Sequence, residues 1–172
     1  MSTGNLEGDR QPIMAWVEKC LEDTAVCGRV LEIGSKWETP PQWCPSQLFL
    51  DRLRFPEYVG LDIRAGVGVD VICNSNALPY ESRRWDVVLC AEMLEHDLKF
   101  WRTLEESWRV LSAGGHIIIS TRGIRFPQHN YPSDYYRFTK ESLQDLLTVI
   151  GFNDVRSSEH APSSGIFAIG RK

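Results

Sequence analysis

The sequence predicts an α/β fold built on a mostly parallel sheet with one antiparallel strand. Three observations predict it. Short apolar runs alternate with amphipathic helical stretches over most of the chain. Those runs break into polar residues at their carboxyl ends, as parallel strands buried on both faces do. The chain then finishes on two strand-like segments joined by Pro162-Ser163-Ser164-Gly165, a hairpin. The length of 172 residues fits a single domain spanning 1–172, with residues 1–10 expected to be disordered.

Pro12 opens the first helix, whose apolar residues Ile13, Val17, Cys20, Leu21 and Ala25 share one face, and Gly28 ends it. Val30–Ile33 is the first strand and breaks at Gly34. A turn-rich segment with Pro40, Pro41 and Pro45 leads to a brief helix holding Leu48, Phe49, Leu50 and Leu53. Tyr58–Asp62, Val69–Cys73 and Val87–Ala91 read as the second to fourth strands. Phe100–Leu111 carries Trp101, Leu104, Trp108 and Leu111 at spacings of three and four. That is an amphipathic helix closed by Gly114-Gly115, with both tryptophans expected in the core. Ile117–Ile119 is the fifth strand. Thr139 is placed to N-cap a helix with Leu143, Leu146, Leu147 and Ile150 on its buried side, and Gly151 stops it. Asn153–Ser157 and Ile166–Gly170 are the two strands of the hairpin.

Composition narrows the function. Net charge is −4, with 42% hydrophobic and 24% charged residues, and no block of like charge supports a nucleic-acid partner. No apolar run reaches membrane-spanning length, and the first ten residues lack the apolar core of a signal peptide. The five cysteines are odd in number and show no Cys-x-x-Cys pairing; Cys73 and Cys90 lie inside predicted strands. This usage fits a reducing compartment, and a cytoplasmic protein is expected.

Function concentrates in Trp85–His96. An apolar run breaks abruptly into Glu92, Glu95 and His96, where a buried strand would emerge and where ligands bind in open α/β sheets. Together with Val30-Leu31-Glu32-Ile33-Gly34-Ser35, Tyr58-Val59-Gly60-Leu61-Asp62 and Trp108-Arg109-Val110-Leu111-Ser112-Ala113-Gly114-Gly115, this stretch resembles the class I S-adenosylmethionine-dependent methyltransferases, of the type 11 subgroup. The resemblance runs from about Gly28 to Arg171. It implies a Rossmann-like three-layer sandwich with a seven-stranded sheet whose antiparallel strand lies in the C-terminal hairpin.

The resemblance also implies the cofactor contacts. Gly34 and Ser35 form the turn beside the methionine moiety, with Glu32 just below as a partner for turn amides or the cofactor's ammonium. Asp62, followed by Ile63, accepts from the two ribose hydroxyls, a role that suits an acceptor-only carboxylate. Asn74, Ser75 and Asn76 stand where the adenine edge is read, and Cys90, Ala91 and Glu92 line the floor near the sulfonium. The chain departs from the pattern at Ser35-Lys36-Trp37, where many members carry a second glycine. That departure also disfavours a nicotinamide-dinucleotide site, which leans harder on its glycines.

Residues 122–139 are read as an acceptor-site loop or lid. They hold several aromatics together with His129 and Asp134 between a strand and a helix, too rigid and amphipathic for a plain linker. His129 is the candidate general base, Asp134 its orienter or a second carboxylate, and Tyr131, Tyr135 and Arg137 candidate acceptor contacts. The competing reading is a self-packed lid in which Asp134 pairs with Arg137. Glu92, Glu95 and His96 occupy positions i, i+3 and i+4, which share one face of a helix, so they could converge on a divalent cation with His129 as a distant ligand. Comparable runs hold a metal in some methyltransferases and brace the loop in others. The bracing reading is adopted, with no metal assigned.

Little material lies outside the core fold, so the expected acceptor is a small molecule, free or delivered by a carrier or partner protein. No Asp-Pro-Pro-Tyr or Pro-Cys motif marks a base methylase. The expected activity is methyl transfer from S-adenosylmethionine to oxygen or nitrogen, leaving S-adenosylhomocysteine. The alternative is an inactive relative that binds cofactor and serves as a regulatory or interaction subunit.

Overall fold

The computed structural model describes residues 15, 16, 19, 20, 22, 28–36, 55–130 and 132–172. Seven strands form one sheet: β1 (Arg29–Ile33), β2 (Glu57–Asp62), β3 (Val71–Ile72), β4 (Trp85–Ala91), β5 (Leu111–Arg122), β6 (Asn153–His160) and β7 (Gly165–Arg171). Their order is β3-β2-β1-β4-β5-β7-β6. Pairing is parallel from β3 through to β5, and β7 runs antiparallel to both β5 and β6. This is the seven-stranded, mostly parallel sheet that the sequence predicts, with its reversed strand in the terminal hairpin. Helices α1 (Phe100–Val110) and α2 (Lys140–Ile150) and the 3-10 turn Leu94–His96 complete the regular elements named here.

The strand sequences show why both faces are covered. In β4, Val88 and Cys90 face one core with Leu31, Ile33, Leu104, Leu143 and Leu147, while Val87, Leu89 and Ala91 face the other with Cys20, Val30 and Ile169. Period-two alternation of apolar residues thus feeds two cores rather than one core and solvent. The described residues of the first helix, among them Cys20 and Trp16, pack on the second face. Its Pro12 start, Ile13, Val17, Leu21 and Ala25, the prolines at 40, 41 and 45 and the expected Leu48–Leu53 helix all lie outside the described residues, as do residues 1–10 and Trp37.

Four expectations are corrected. Trp101 and Trp108 are not core: they are 42% and 37% exposed. The face that α1 buries is Thr103, Leu104, Ser107 and Val110, rotated toward small polar residues that let the helix approach the sheet closely. At about 100° per residue the two tryptophans fall on the flank of that stripe. Trp108 closes the edge instead, donating its indole N–H to the Gly151 carbonyl at 3.3 Å.

The helix ends within one residue of the expected Leu111, but Gly114-Gly115 do not close it. It stops at Val110, and Leu111, with ψ 140°, begins β5 at once. The glycines lie inside the strand, where the pairing with β4 slips between Trp85–Leu111 and Val87–His116. Gly114 takes φ +81°, a conformation that suits the extra residues of such a bulge. The third strand is shorter than expected. Asp70 leaves the ladder because its carboxylate takes the Gly60 backbone N–H at 2.7 Å, closing the 63–70 loop through a side chain. Cys73 accordingly follows the strand and is only half-buried. Helix α2 has the expected ends, with a reciprocal Thr139–Ser142 capping box and Gly151 at φ +115°.

Asp86 ties β4 to the start of β1. Its carboxylate accepts from the Arg29 backbone N–H at 2.8 Å and from the Arg29 guanidinium at 3.1 Å, and also pairs with the Ser112 hydroxyl. The side-chain bond to Arg29 is the main reason its carboxyl is held below the ordinary carboxylate value. A depressed folded-state value stabilises above the unfolded value of about 3.9 and is lost as pH falls below it. The difference in melting temperature between the wild type and Asp86→Asn should therefore be present at pH 6 and shrink steadily from about pH 4 downward, as read by differential scanning calorimetry.

Candidate active site

Strands β1, β2 and β4 end on one rim of the sheet, and the polar residues that terminate them converge there. They open onto a cleft of about 780 Å³. Glu32, Gly34, Asp62, Ile63, Asn74, Ser75, Asn76, Ala91 and Glu92 line one side, and Arg122, Phe126 and His129 lie on the other. Gly34 turns the chain out of β1 at φ +79°, where a Cβ would sit 2.6 Å from the Cβ of Met93. A side chain is excluded there both by conformation and by space.

The carboxylate of Asp62 takes one backbone N–H on each oxygen, from Arg64 at 2.9 Å and Lys36 at 3.4 Å. Both oxygens keep acceptor capacity toward the cleft. Glu32 is buried and accepts from the Tyr58 hydroxyl at 2.5 Å. Asn74 closes a local turn by accepting from the Asn76 N–H at 2.9 Å. The Asn76 amide reaches back to Asp97 at 3.0 Å and Thr103 at 2.9 Å, which ties the end of β3 to α1.

Four of the predicted cofactor and acceptor residues, Ser35, Cys90, Asp134 and Arg137, do not line the cleft. Ser35 is 1% exposed and packs against Gly60, under the turn. Cys90 is wholly buried on the α1 side of β4, and burial pushes its thiol up to about 12. Asp134 has a side chain 1% exposed, gripped by Arg137 with two bonds of 2.5 and 2.6 Å. Those bonds are the chief reason its carboxyl sits far below the ordinary range. Asp134 also accepts the His129 backbone N–H at 2.7 Å and stands 3.3 Å from His129 Nδ1. The Asp134–Arg137 pair of the self-packed lid is therefore present, and it holds His129 in place.

Beyond β4 the chain does not form the helix that would align Glu92, Glu95 and His96. Glu92 takes φ +54°, which is uncommon outside glycine, and only Leu94–His96 make a single 3-10 turn. Glu92 is thereby turned to β5, where its carboxylate pairs with the guanidinium of Arg122. Arg122 is 4% exposed and lies flat over the Phe126 ring at 3.9 Å. Glu95 is instead directed inward, fully buried, with Oε2 accepting from the Thr121 hydroxyl at 2.6 Å. Burial, and after it the charge of Glu92, pushes the Glu95 carboxyl upward.

The loop from Gly123 to Thr139 closes over this carboxylate. It is pinned at its base by the Gly123–Phe138 bridge and by Tyr135 N–H donating to the Glu95 carbonyl at 2.8 Å. The ring of His129 packs edge-on against His96 at 4.7 Å between centroids. Burial, and then the charge of His96, lowers the His129 imidazolium to about 4. Tyr135 lines the cleft, while Tyr131 lies outside the described residues. Sequence reasoning missed Thr121, Arg122 and Ser133. The signal for the first two was present, since Ser120-Thr121-Arg122 ends β5 with the same switch from apolar to polar that marks β4. No sequence cue marks Ser133, which contributes only its carbonyl.

Among the described residues no helix is long and apolar enough to cross a membrane. Comparison with curated proteins finds no match. Among solved structures, the chain resembles a possible histamine N-methyltransferase from Thermotoga maritima, with 19% identity, a TM-score of 0.70, and 97% of this chain and 91% of that one covered. A 1,6-didemethyltoxoflavin-N1-methyltransferase from Burkholderia thailandensis, solved with its substrate and S-adenosylhomocysteine, matches at 16% identity and a TM-score of 0.71, covering 98% and 81%. A putative methyltransferase from Haloferax volcanii, solved in complex with the Trm112 activator, matches at 13% identity and a TM-score of 0.70, covering 98% and 94%. At these identities the structures speak for the fold. Residues 48–119 match the family model described as a methyltransferase domain. That match, on a sheet with this strand order and these strand ends, gives the chain the α/β fold of the S-adenosylmethionine-dependent methyltransferases.

Proposed function

We propose that the cleft binds S-adenosylmethionine and that the protein transfers its methyl group to an oxygen or nitrogen of a small-molecule acceptor. The observation that carries this reading is the juxtaposition of Asp62 at the end of β2 with the side-chain-free turn at Gly34, both facing one cleft. The bound cofactor supplies an electrophilic methyl on a sulfonium. The protein's own part is chiefly alignment, because displacement at a methyl group needs nucleophile, carbon and leaving sulfur in line.

Asp62 offers two carboxylate oxygens to the ribose hydroxyls, and Gly34 admits the methionine part against the backbone. Asn74 and Ser75 frame the adenine end, and Ala91 with Glu92 forms the floor beneath the sulfonium. Across the cleft, Phe126, Tyr135 and the prolines at 127 and 132 give an apolar wall suited to a small ring-bearing acceptor. His129 is neutral near pH 7 and takes the proton that an O–H or N–H acceptor must lose. Asp134 and Arg137 position it. The 1,6-didemethyltoxoflavin bound to the Burkholderia protein supports a small acceptor here, and the Trm112 complex supports the variant in which a partner protein assists.

Thermal unfolding with S-adenosylmethionine, S-adenosylhomocysteine and NAD in parallel tests the cofactor. The two sulfur nucleotides at about a hundred times their dissociation constant should add about 2.7 kcal/mol, and NAD should add nothing. Asp62→Ala should abolish that shift, and unchanged affinity would refute the ribose assignment. His129→Ala should keep cofactor binding and lose turnover across an acceptor panel; full activity would return His129 to the scaffold. Arg137→Ala leaves the Asp134 carboxylate buried without its partner. It should cost about 3 kcal/mol in urea unfolding and speed amide exchange across residues 126–138.

A further inference from the structure

The ion pair between Glu92 and Arg122 lies against the cleft, and alignment of a methyl group does not by itself require it. Stability does not call for it either, because desolvating two charges offsets most of their attraction. The pair is also unevenly satisfied. Glu92 Oε1 is sealed from solvent and accepts no hydrogen bond, and Oε2 meets only the guanidinium. An ionised carboxylate has room for about four donors, so most of the accepting capacity of Glu92 is unused.

The pair has a fixed direction. Strand β4 lies between β1 and β5, and Cys90 is in register with Ile33 on one side and Ile119 on the other. Directly after Ile33 comes the turn at Gly34, whose backbone packs against Met93, the neighbour of Glu92. On the β5 side the Arg122 guanidinium leans away from that turn. It lies over the Phe126 ring, and Nη1 donates to the Ser163 carbonyl at 3.4 Å. The carboxylate is therefore the end nearer the Gly34 half of the cleft, and the guanidinium is the end nearer Phe126. Both ends are held from behind: Arg122 by the ring and the carbonyl, Glu92 by its φ of +54° and by its N–H donating to the Ser120 carbonyl at 2.9 Å.

We propose that the Glu92–Arg122 pair is the element that distinguishes the methyl-bearing cofactor from its spent product, by turning its negative end toward the sulfonium. This inference rests on the reading that the cleft binds S-adenosylmethionine beside Gly34. S-adenosylmethionine and S-adenosylhomocysteine share adenine, ribose and amino-acid parts, and differ by one methyl group and one positive charge. Asp62, Gly34 and Asn74 serve the shared parts and hold both alike. A fixed carboxylate in a water-poor cleft favours the cationic ligand, and it does so without reorganising. Arg122 balances that carboxylate before a ligand arrives, so the cleft does not carry an uncompensated buried anion. After transfer the pair faces a neutral thioether and holds it less tightly, which favours exchange of product for fresh cofactor.

Calorimetric titration of the full chain, without any acceptor, tests the pair. The ligands are S-adenosylmethionine, S-adenosylhomocysteine and sinefungin, which carries a cationic amine where the sulfonium stands. Glu92→Gln leaves the guanidinium uncompensated. It should weaken S-adenosylmethionine and sinefungin about tenfold or more, and S-adenosylhomocysteine by less than about twofold. Arg122→Met should move the ratio the opposite way, in favour of the two cations. The double variant Glu92→Gln/Arg122→Met buries no charge there, which secures its folding, and it should still shift the ratio against the cations by about threefold. Glu105→Gln, which removes an equal charge from the exposed side of α1, should leave the ratio unchanged. Circular dichroism establishes that each variant is folded. A ratio unchanged in both Glu92→Gln and the double variant, or equal weakening of all three ligands, overturns the proposal and leaves the cofactor reading standing. Failure of the wild type to bind either sulfur nucleotide overturns both.

Discussion

A strand covered on both faces can place charge only where it leaves the sheet. That constraint governs β4, whose residues from Val87 to Cys90 are at most 1% exposed. It also governs β1, where Leu31 and Ile33 are equally sealed. The sheet therefore exports its polar chemistry to one rim, and neighbouring parallel strands export it to the same rim. Asp62, Glu92 and Arg122 all lie just past apolar runs of three different strands. They meet across the crevice because those runs end in register.

A second constraint follows at the rim. Glu92 and Glu95 are close enough to repel, and neither is well hydrated. The chain separates their fates through the backbone: the positive φ at Glu92 sends one carboxylate to Arg122 and lets the 3-10 turn drive the other inward. The loop after β5 is then less a cover than a set of electrostatic partners for the inward acid. Tyr135 binds its backbone, the two histidines face its carboxylate, and the Asp134–Arg137 pair keeps His129 aimed. Such an arrangement is organised before any ligand arrives, which is what alignment-dominated chemistry requires.

How far the sequence could be read depended on the range of the forces involved. Local periodicity and end signals gave the strand order's ingredients, and Thr139 and Gly151 marked α2 to the residue, because caps and alternation are properties of neighbouring residues. Trp101 and Trp108 misled because spacing fixes which residues share a face of a helix. Only the sheet's demand for close approach, met by Thr103 and Ser107, decides which face is buried. Gly114-Gly115 read as a helix stop although the helix had ended at Val110, since a glycine pair signals a break without saying of what kind. In the site, strand-end carboxylates were legible. The meeting of His129 with Glu95 was legible only as an open alternative, because it depends on a backbone conformation at Glu92 and on a carbonyl at Ser133 that carry no residue-type signature.

The position of β7 has a consequence for how the protein is made. It lies between β5 and β6, yet it follows both in the chain. While residues up to His160 are emerging from a ribosome, β5 presents an open edge and β6 has nothing to pair with. The sheet is completed at an interior position rather than at its border, when Gly165–Arg171 slides between the two. Assembly of this half of the molecule thus waits until β7 has emerged. Until it happens, the nascent chain exposes the edge of its longest strand, which makes this interval its period of greatest susceptibility to edge-to-edge association.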